Sequence, residues 1–252
     1  MSCEASEASC DLPENGGRRG LLRQLAVAAS IGGLAGLGVL TPLDAAAVAL
    51  TRGQRDDLSI DQILQRLLDG NERFRMGRAA EYDYLAQKRA TVTGQYPAAI
   101  ILSCIDSRAP AEIVMDIPIG DSFNARIAGN LISTEVLGSM EFACAVAGAK
   151  VVMVMGHTSC GAIKGAIDKA DLGHLTGLVD RIAPAVAETQ FLGERTSSNQ
   201  AFVDEVAKTH VRRTIATIRE QSRVLSALEN QGKIRVVGSM YHLSGGRVEM
   251  LS

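Results

Sequence analysis

The sequence predicts an α/β fold, a mostly parallel β-sheet core flanked by helices. Three observations lead there. The runs "PAAIILSC" (97–104) and "KVVMVM" (150–155) are almost unbroken in their apolar character, as strands covered on both faces are. Helical periodicity occupies "STEVLGSMEFACAVAGA" (133–149) and a long stretch over roughly 199–230. Strands and helices therefore alternate along the chain, the order that builds a parallel sheet with helices on its faces.

The first 49 residues read differently from the rest. "GGRRGLLRQLAVAASIGGLAGLGVLTPLDAAAVAL" sets Arg18 and Arg19 ahead of an Ala- and Gly-rich apolar run from Leu25 to Leu40. That run is shorter than the ~20 residues needed to span a bilayer. Small residues around Ala45–Ala49 suit a cleavage site. Basic flank, modest apolar run and small-residue end together describe an export signal of the twin-arginine kind. The plainer readings are an uncleaved anchor or a disordered tail. The expected organisation is an export segment at 1–49 and a single folded domain at 50–252. The product would be periplasmic or extracellular, with no stable membrane insertion after processing.

Within the domain, "LSIDQILQRLLDGNERF" spaces Ile60, Ile63, Leu64, Leu67 and Leu68 for a helix, with Ser59 as its N-cap. After the strand at 97–103, "DSFNARIAG" (121–129) reads as a second strand. "KIRVVGSMYHL" and "GRVEML" supply the last two, on either side of Gly245 and Gly246. Hydrophobic residues make up 46% of the 252-residue chain, enough for one core. With no Trp and only 4% aromatic residues, aliphatic side chains must fill it. A formal net charge of −2 gives no electrostatic case for a nucleic-acid partner. Five scattered cysteines make no disulfide scaffold.

Chemistry concentrates at two strand ends. Cys104 closes the strand at 97–103, and "MGHTSCGA" puts His157 and Cys160 just after the strand at 150–155. His-x-x-Cys alone recurs by chance, and a buried Cys is usually a small hydrophobe. Ligands in open α/β sheets, however, bind beyond the carboxyl ends of strands. Two strands thus deliver three good metal ligands to one sheet edge.

The pattern "CIDSRAPAE" (Cys104, Asp106, Arg108) followed by "GHTSCGA" (His157, Cys160) resembles the β-class carbonic anhydrases, a zinc-dependent family. "LLDGNERF", "GQYP" and "SMYHLSGGRVEML" extend the likeness over 58–252. The resemblance implies one Zn²⁺ per chain on Cys104, His157 and Cys160. Asp106 would be a fourth ligand in a closed state and Arg108 its salt-bridge partner. It implies reversible hydration of CO2 to bicarbonate and a proton by a zinc-bound hydroxide. Substrate-binding roles fall to Gln95, Phe123, Phe142 and Gly161. The pocket would be completed across a homodimer or higher homo-oligomer. Two thiolates and an imidazole suit Zn²⁺, and three protein ligands leave the open position of a catalytic site.

This sequence departs from the family at two places. Ile127 stands in "RIAGN" (126–130) where the family has Asn, and Ile101 where some members have the Trp of an inhibitory bicarbonate pocket that Arg126 and Tyr241 would otherwise match. Cys144 is expected to be an inert core thiol. His174, His210 and His242 are expected in polar or loop-like contexts without chemistry. One alternative keeps the site and changes the substrate to carbonyl sulfide or carbon disulfide. A cysteine phosphatase would need five residues between Cys and Arg, where Cys104 and Arg108 have three. A structural zinc module would close its site with four strong ligands.

Overall fold

A computed structural model describes residues 49–251, so of the expected export segment at 1–49 all but Ala49 lies outside the described residues. Two short-range devices start the domain. α1 (Arg52–Asp57) opens on a reciprocal capping box between Thr51 and Gln54, and α2 (Ile60–Arg75) on another between Ser59 and Gln62. Ser59 is thus the N-cap that its sequence context predicts. Ile63 and Leu67 turn inward from α2. α3 (Tyr84–Thr91) follows, capped by Asp83.

The sheet is then laid down strand by strand. β1 (Ala99–Ser103) leads through α4 (Ala111–Val114) to β2 (Ser122–Arg126). A 3₁₀ turn at Ala128–Asn130 and α5 (Thr134–Glu141) precede β3 (Val151–His157). α6 (Gly161–Ile167), α7 (His174–Glu188), α8 (Gln200–Gln221) and α9 (Arg223–Asn230) come next. β4 (Arg235–Tyr241) and β5 (Val248–Leu251) end the described chain.

The strand order is β2-β1-β3-β4-β5, parallel throughout except for the antiparallel β4–β5 pair. Every residue of β1 and β3 is buried, which explains their unbroken apolar runs. Ile100, Leu102, Val152 and Val154 pack on one face with Phe202, Val203, Val206 and Val211 of α8. Ile101, Met153 and Met155 pack on the other with Ile63 and Leu67 of α2 and Val114 beside Met115. A sheet covered on both faces presents only its strand ends to a ligand.

Three expectations change. The helix expected over 133–149 is α5 followed by a π turn at Phe142–Val146, where Ala147 N donates to Phe142 O across five residues at 2.9 Å. The helix expected over 199–230 is two helices. Ser222 leaves helical geometry and caps α9, its Oγ accepting from Leu225 N at 3.1 Å and donating to Glu141 at 2.6 Å. His210 is not in a polar or loop-like context. It lies inside α8 and is buried on the core side.

Candidate metal centre

The parallel pairing of β1 with β3 sets Ser103 opposite Met155. Cys104 and His157 therefore leave the same edge of the sheet on adjacent strands. The chain must then turn back for Cys160 to join them. Ser159 makes that turn at a φ of 57°, and its N–H donates to Asp204 of α8 at 3.0 Å. Thr158 N donates to Tyr241 O at 3.0 Å, and Thr158 Oγ1 accepts from Leu243 N at 3.0 Å. The His-x-x-Cys loop is thereby fastened to both α8 and the end of β4.

The ligand atoms of Cys104, His157 and Cys160 all lie within 4.8 Å of one another. All three residues are buried. His157 Nδ1 lies 2.9 Å from the carbonyl oxygen of Thr158. A carbonyl only accepts, so Nδ1 carries the proton and Nε2 the free lone pair. Nε2 is buried and has no hydrogen-bond partner, a costly condition for a polar atom. A cation between this nitrogen and two sulfurs satisfies it. The donor set of one imidazole and two thiols fits zinc.

The thiols are electrostatically prepared. Cys104 is held down to about 4, first by the hydrogen bond from Cys160, then by His157, Gly129 N–H and the backbone at Asp106, against the effect of burial. Cys160 moves up, because bonding to Cys104 and burial retain its proton. The two sulfurs thus share one proton, which a metal displaces. Burial works to lower His157, but the neighbouring Cys104 sulfur, the Thr158 carbonyl and the Asp106 carboxylate together outweigh it and the imidazole moves up. Cys144 is the contrasting case: burial alone pushes its thiol to about 12, as expected of an inert core group.

Asp106 stands beside the triad, its Oδ2 3.8 Å from His157 Nε2. Arg108 holds it by three donors: backbone N and Nε to Oδ1 at 2.9 and 3.0 Å, and Nη2 to Oδ2 at 2.8 Å. Those Arg108 bonds hold the carboxyl down to about 2. Arg126 then pins the loop from behind, donating to Cys104 O at 3.0 Å and Asp106 O at 2.6 Å. Ile127, where the family has Asn, uses its backbone N–H on Ser103 O at 3.1 Å, and its side chain packs half-buried against the core.

The well over half of the chain that runs from 99 to 248 matches the carbonic anhydrase family profile. The chain belongs to the β-class carbonic anhydrase family. A carbonic anhydrase of Mycolicibacterium smegmatis is 37% identical over 188 residues, covering 74% of this chain and 90% of that protein. Carbonic anhydrase 2 of Mycobacterium tuberculosis is 38% identical over 187 residues, covering 72% and 87%. The fold is shared with a β-carbonic anhydrase of Aspergillus fumigatus at a TM-score of 0.60 and 24% identity, covering 75% of this chain and 90% of that one. It is shared also with tetrameric β-carbonic anhydrases of Sordaria macrospora, at a TM-score of 0.60 and 21% identity, covering 75% and 96%.

Not every candidate residue of this carbonic anhydrase reaches its own triad. Gly161 adjoins Cys160 as the first residue of α6 and is exposed. Gln95 is exposed and precedes β1, at the opposite strand end from Cys104. Phe123 and Phe142 form an edge-to-face pair with centroids 6.2 Å apart. Phe123 is in register with Ile100, four residues before Cys104, or ~13 Å along a strand. The supports that sequence reading missed are Asp204 and His210 on α8. Neither carries a motif, and their reach depends on how that helix packs. Among the remaining histidines, His174 is exposed and opens α7, and His242 pairs with Glu249 at 2.8 Å.

Proposed function

We propose that the chain hydrates CO2 reversibly to bicarbonate and a proton, with zinc on Cys104, His157 and Cys160. The observation that carries this reading is the unpartnered His157 Nε2, buried between two thiols and 3.8 Å from a carboxylate. Zinc bound there supplies the Lewis acidity that makes water a nucleophile near neutral pH. The chain's own groups do the rest. Thr158 O fixes the imidazole tautomer, and Gly129 N–H and Arg126 fix the Cys104 loop. Arg108 holds the ionised Asp106 by its own donors and keeps it as an acceptor beside the triad. Carbonyl sulfide and carbon disulfide are not favoured as substrates, since the matching relatives are carbonic anhydrases by name.

A homo-oligomer follows from where the pocket residues stand. Gln95 is exposed and precedes β1, at the opposite strand end from Cys104, and Phe142 is 52% exposed in the single chain. A second copy can bring such residues to the metal of the first. For 1–49 the proposal is an export segment that delivers the folded domain 50–252 outside the cytoplasm. Loading zinc before export would protect Cys104 and Cys160 from oxidation.

Metal analysis and stopped-flow CO2 hydration on the purified domain test the reading together. Expected are one zinc per chain and hydration that chelation abolishes. A zinc-loaded protein that does not hydrate CO2 would sink the catalytic part; a chain without zinc would sink the whole.

A further inference from the structure

α8 reaches the metal centre at a second point besides Asp204. His210 is 4% exposed, and its Nε2 lies 2.8 Å from the carbonyl oxygen of Gly129. The carbonyl can only accept, so Nε2 carries the proton. On the other side of the same residue, Gly129 N–H donates to Cys104 Sγ at 3.3 Å. Three residues from three separate elements are thereby joined in a line: an imidazole of α8, a glycine in the turn after β2, and the sulfur at the end of β1.

Gly129 is held rather than resting there. It sits at a φ of 67°, and a Cβ on it would come within 2.7 Å of Ile182 Cδ1 and 3.3 Å of Ala162 Cβ. A glycine is free to leave this conformation, so something must fix the direction of its N–H. His210 is suited to that task. Burial, with a contribution from Arg213, brings it down to about 4, so it remains a neutral single donor near pH 7. Its other nitrogen, Nδ1, is buried without a hydrogen-bond partner. An aliphatic residue would avoid that cost in the core; the imidazole's Nε2–H is what distinguishes it.

We propose that His210 is a positioning residue for the metal ligand Cys104, acting through Gly129. It aims the Gly129 N–H at the sulfur, which sets how much electron density Cys104 gives a bound metal. This rests on the zinc reading above. Outer-shell partners of metal ligands typically contribute ~10–100-fold to affinity.

The test compares wild type, His210→Phe and His210→Gln. Glutamine places an N–H near the position of Nε2, and phenylalanine has no donor. Zinc affinity is measured by chelator competition, and Co²⁺-loaded protein is examined for its thiolate-to-metal charge-transfer band. Expected are about tenfold weaker zinc binding and a shifted band in His210→Phe, with both restored towards wild type in His210→Gln. A merely structural role would lower thermal stability without moving the Co²⁺ band. A folded His210→Phe protein with wild-type affinity and an unmoved band overturns the proposal, as does a shift that His210→Gln leaves unrestored. Wild-type protein that binds neither metal overturns the zinc reading, and the proposal with it.

Discussion

Arg108 grips Asp106 by a side-chain fork, Nε on Oδ1 at 3.0 Å and Nη2 on Oδ2 at 2.8 Å, and that same Oδ2 is 3.8 Å from His157 Nε2. One carboxylate oxygen therefore has two possible partners, a guanidinium or a metal. With a metal on the triad, that choice would decide whether a further ligand position stays open to water. The structure shows the guanidinium holding it.

Arg108→Ala removes the restraint, and Asp106 then competes for the metal. Hydration should fall by about tenfold or more, in the range of outer-shell losses, while zinc content is kept. Asp106 is held down to about 2, so its own titration cannot shape a profile between pH 6 and 9. Any rise there would come from hydroxide competing with Asp106 for a metal held by the triad. A pH–rate profile of both proteins checks this. The wild-type rate should climb through mildly alkaline pH, with Arg108→Ala lower throughout; equal profiles would remove Arg108 from the gate.

Much of this was legible in the sequence because the residues that matter lie at the ends of unmistakable strands. β1 and β3 are buried on both faces, so their apolar runs have no competing reading, and Cys104 and His157 close them. Other features depend on tertiary packing. Ser222 breaks a region whose two halves are each helical, and only its bond to Glu141 shows why it caps there. α6 and α7 are rich in small residues, and α7 contains Pro184, so their periodicity is weak. His210 was misread because a histidine among charged neighbours looks exposed until the partner of its helix face is known. Gln95 fits the family pattern in sequence, yet a parallel strand carries its start and its end to opposite edges. No single-chain reading could join it to the Cys104, His157 and Cys160 triad.

Gly129→Ala should destabilise the domain and loosen the metal together. The positive φ of 67° and the 2.7 Å approach to Ile182 Cδ1 act on the same atom. A non-glycine residue forced into such a conformation costs ~1–3 kcal/mol. Urea denaturation should show that loss, and chelator competition a weaker zinc site. A variant with wild-type values in both would show that the turn can move without disturbing Cys104.

The metal-free protein should lose stability in acid, with a part assignable to His210. Burial lowers its folded value to about 4 from 6.5. Between those values the unfolded chain binds a proton that the folded chain refuses. The contribution is thus complete above pH 6.5 and is lost as pH falls towards 4. Asp106, also depressed when folded, adds a loss below its ordinary range as pH falls towards 2. Urea midpoints of wild type and His210→Gln, both with chelator present, isolate the first effect. The variant should show the shallower fall between pH 6.5 and 4; parallel curves would mean that His210 accepts a proton in the fold.

Export should depend on Arg18 and Arg19. Changing both to Lys keeps the charge but alters the paired guanidinium groups that distinguish the twin-arginine type. Fractionation of cells expressing the full chain should find the double variant retained in the cytoplasm. Continued export would assign the segment to a different route.

Bicarbonate should inhibit this enzyme only as a product. The family's second anion pocket would need a donor at position 101, and Ile101 has none. It is fully buried, packed in the aliphatic layer with Met153 and Met155. Arg126, which would face that anion, already spends Nε and Nη2 on the carbonyl oxygens of Cys104 and Asp106. An anion entering there would have to displace those bonds and meet hydrocarbon, where an unpaired charge is costly. Initial hydration rates measured over a bicarbonate series should therefore fit simple product inhibition with a Hill slope of about one, since one occupied site gives no cooperativity. A slope clearly above one would require a second anion site on the chain. Ile101→Trp offers the converse check. If its indole restores a donor without displacing Met153, cooperative inhibition should appear in the variant. If it only disrupts the packed layer, thermal stability falls and the slope stays at one.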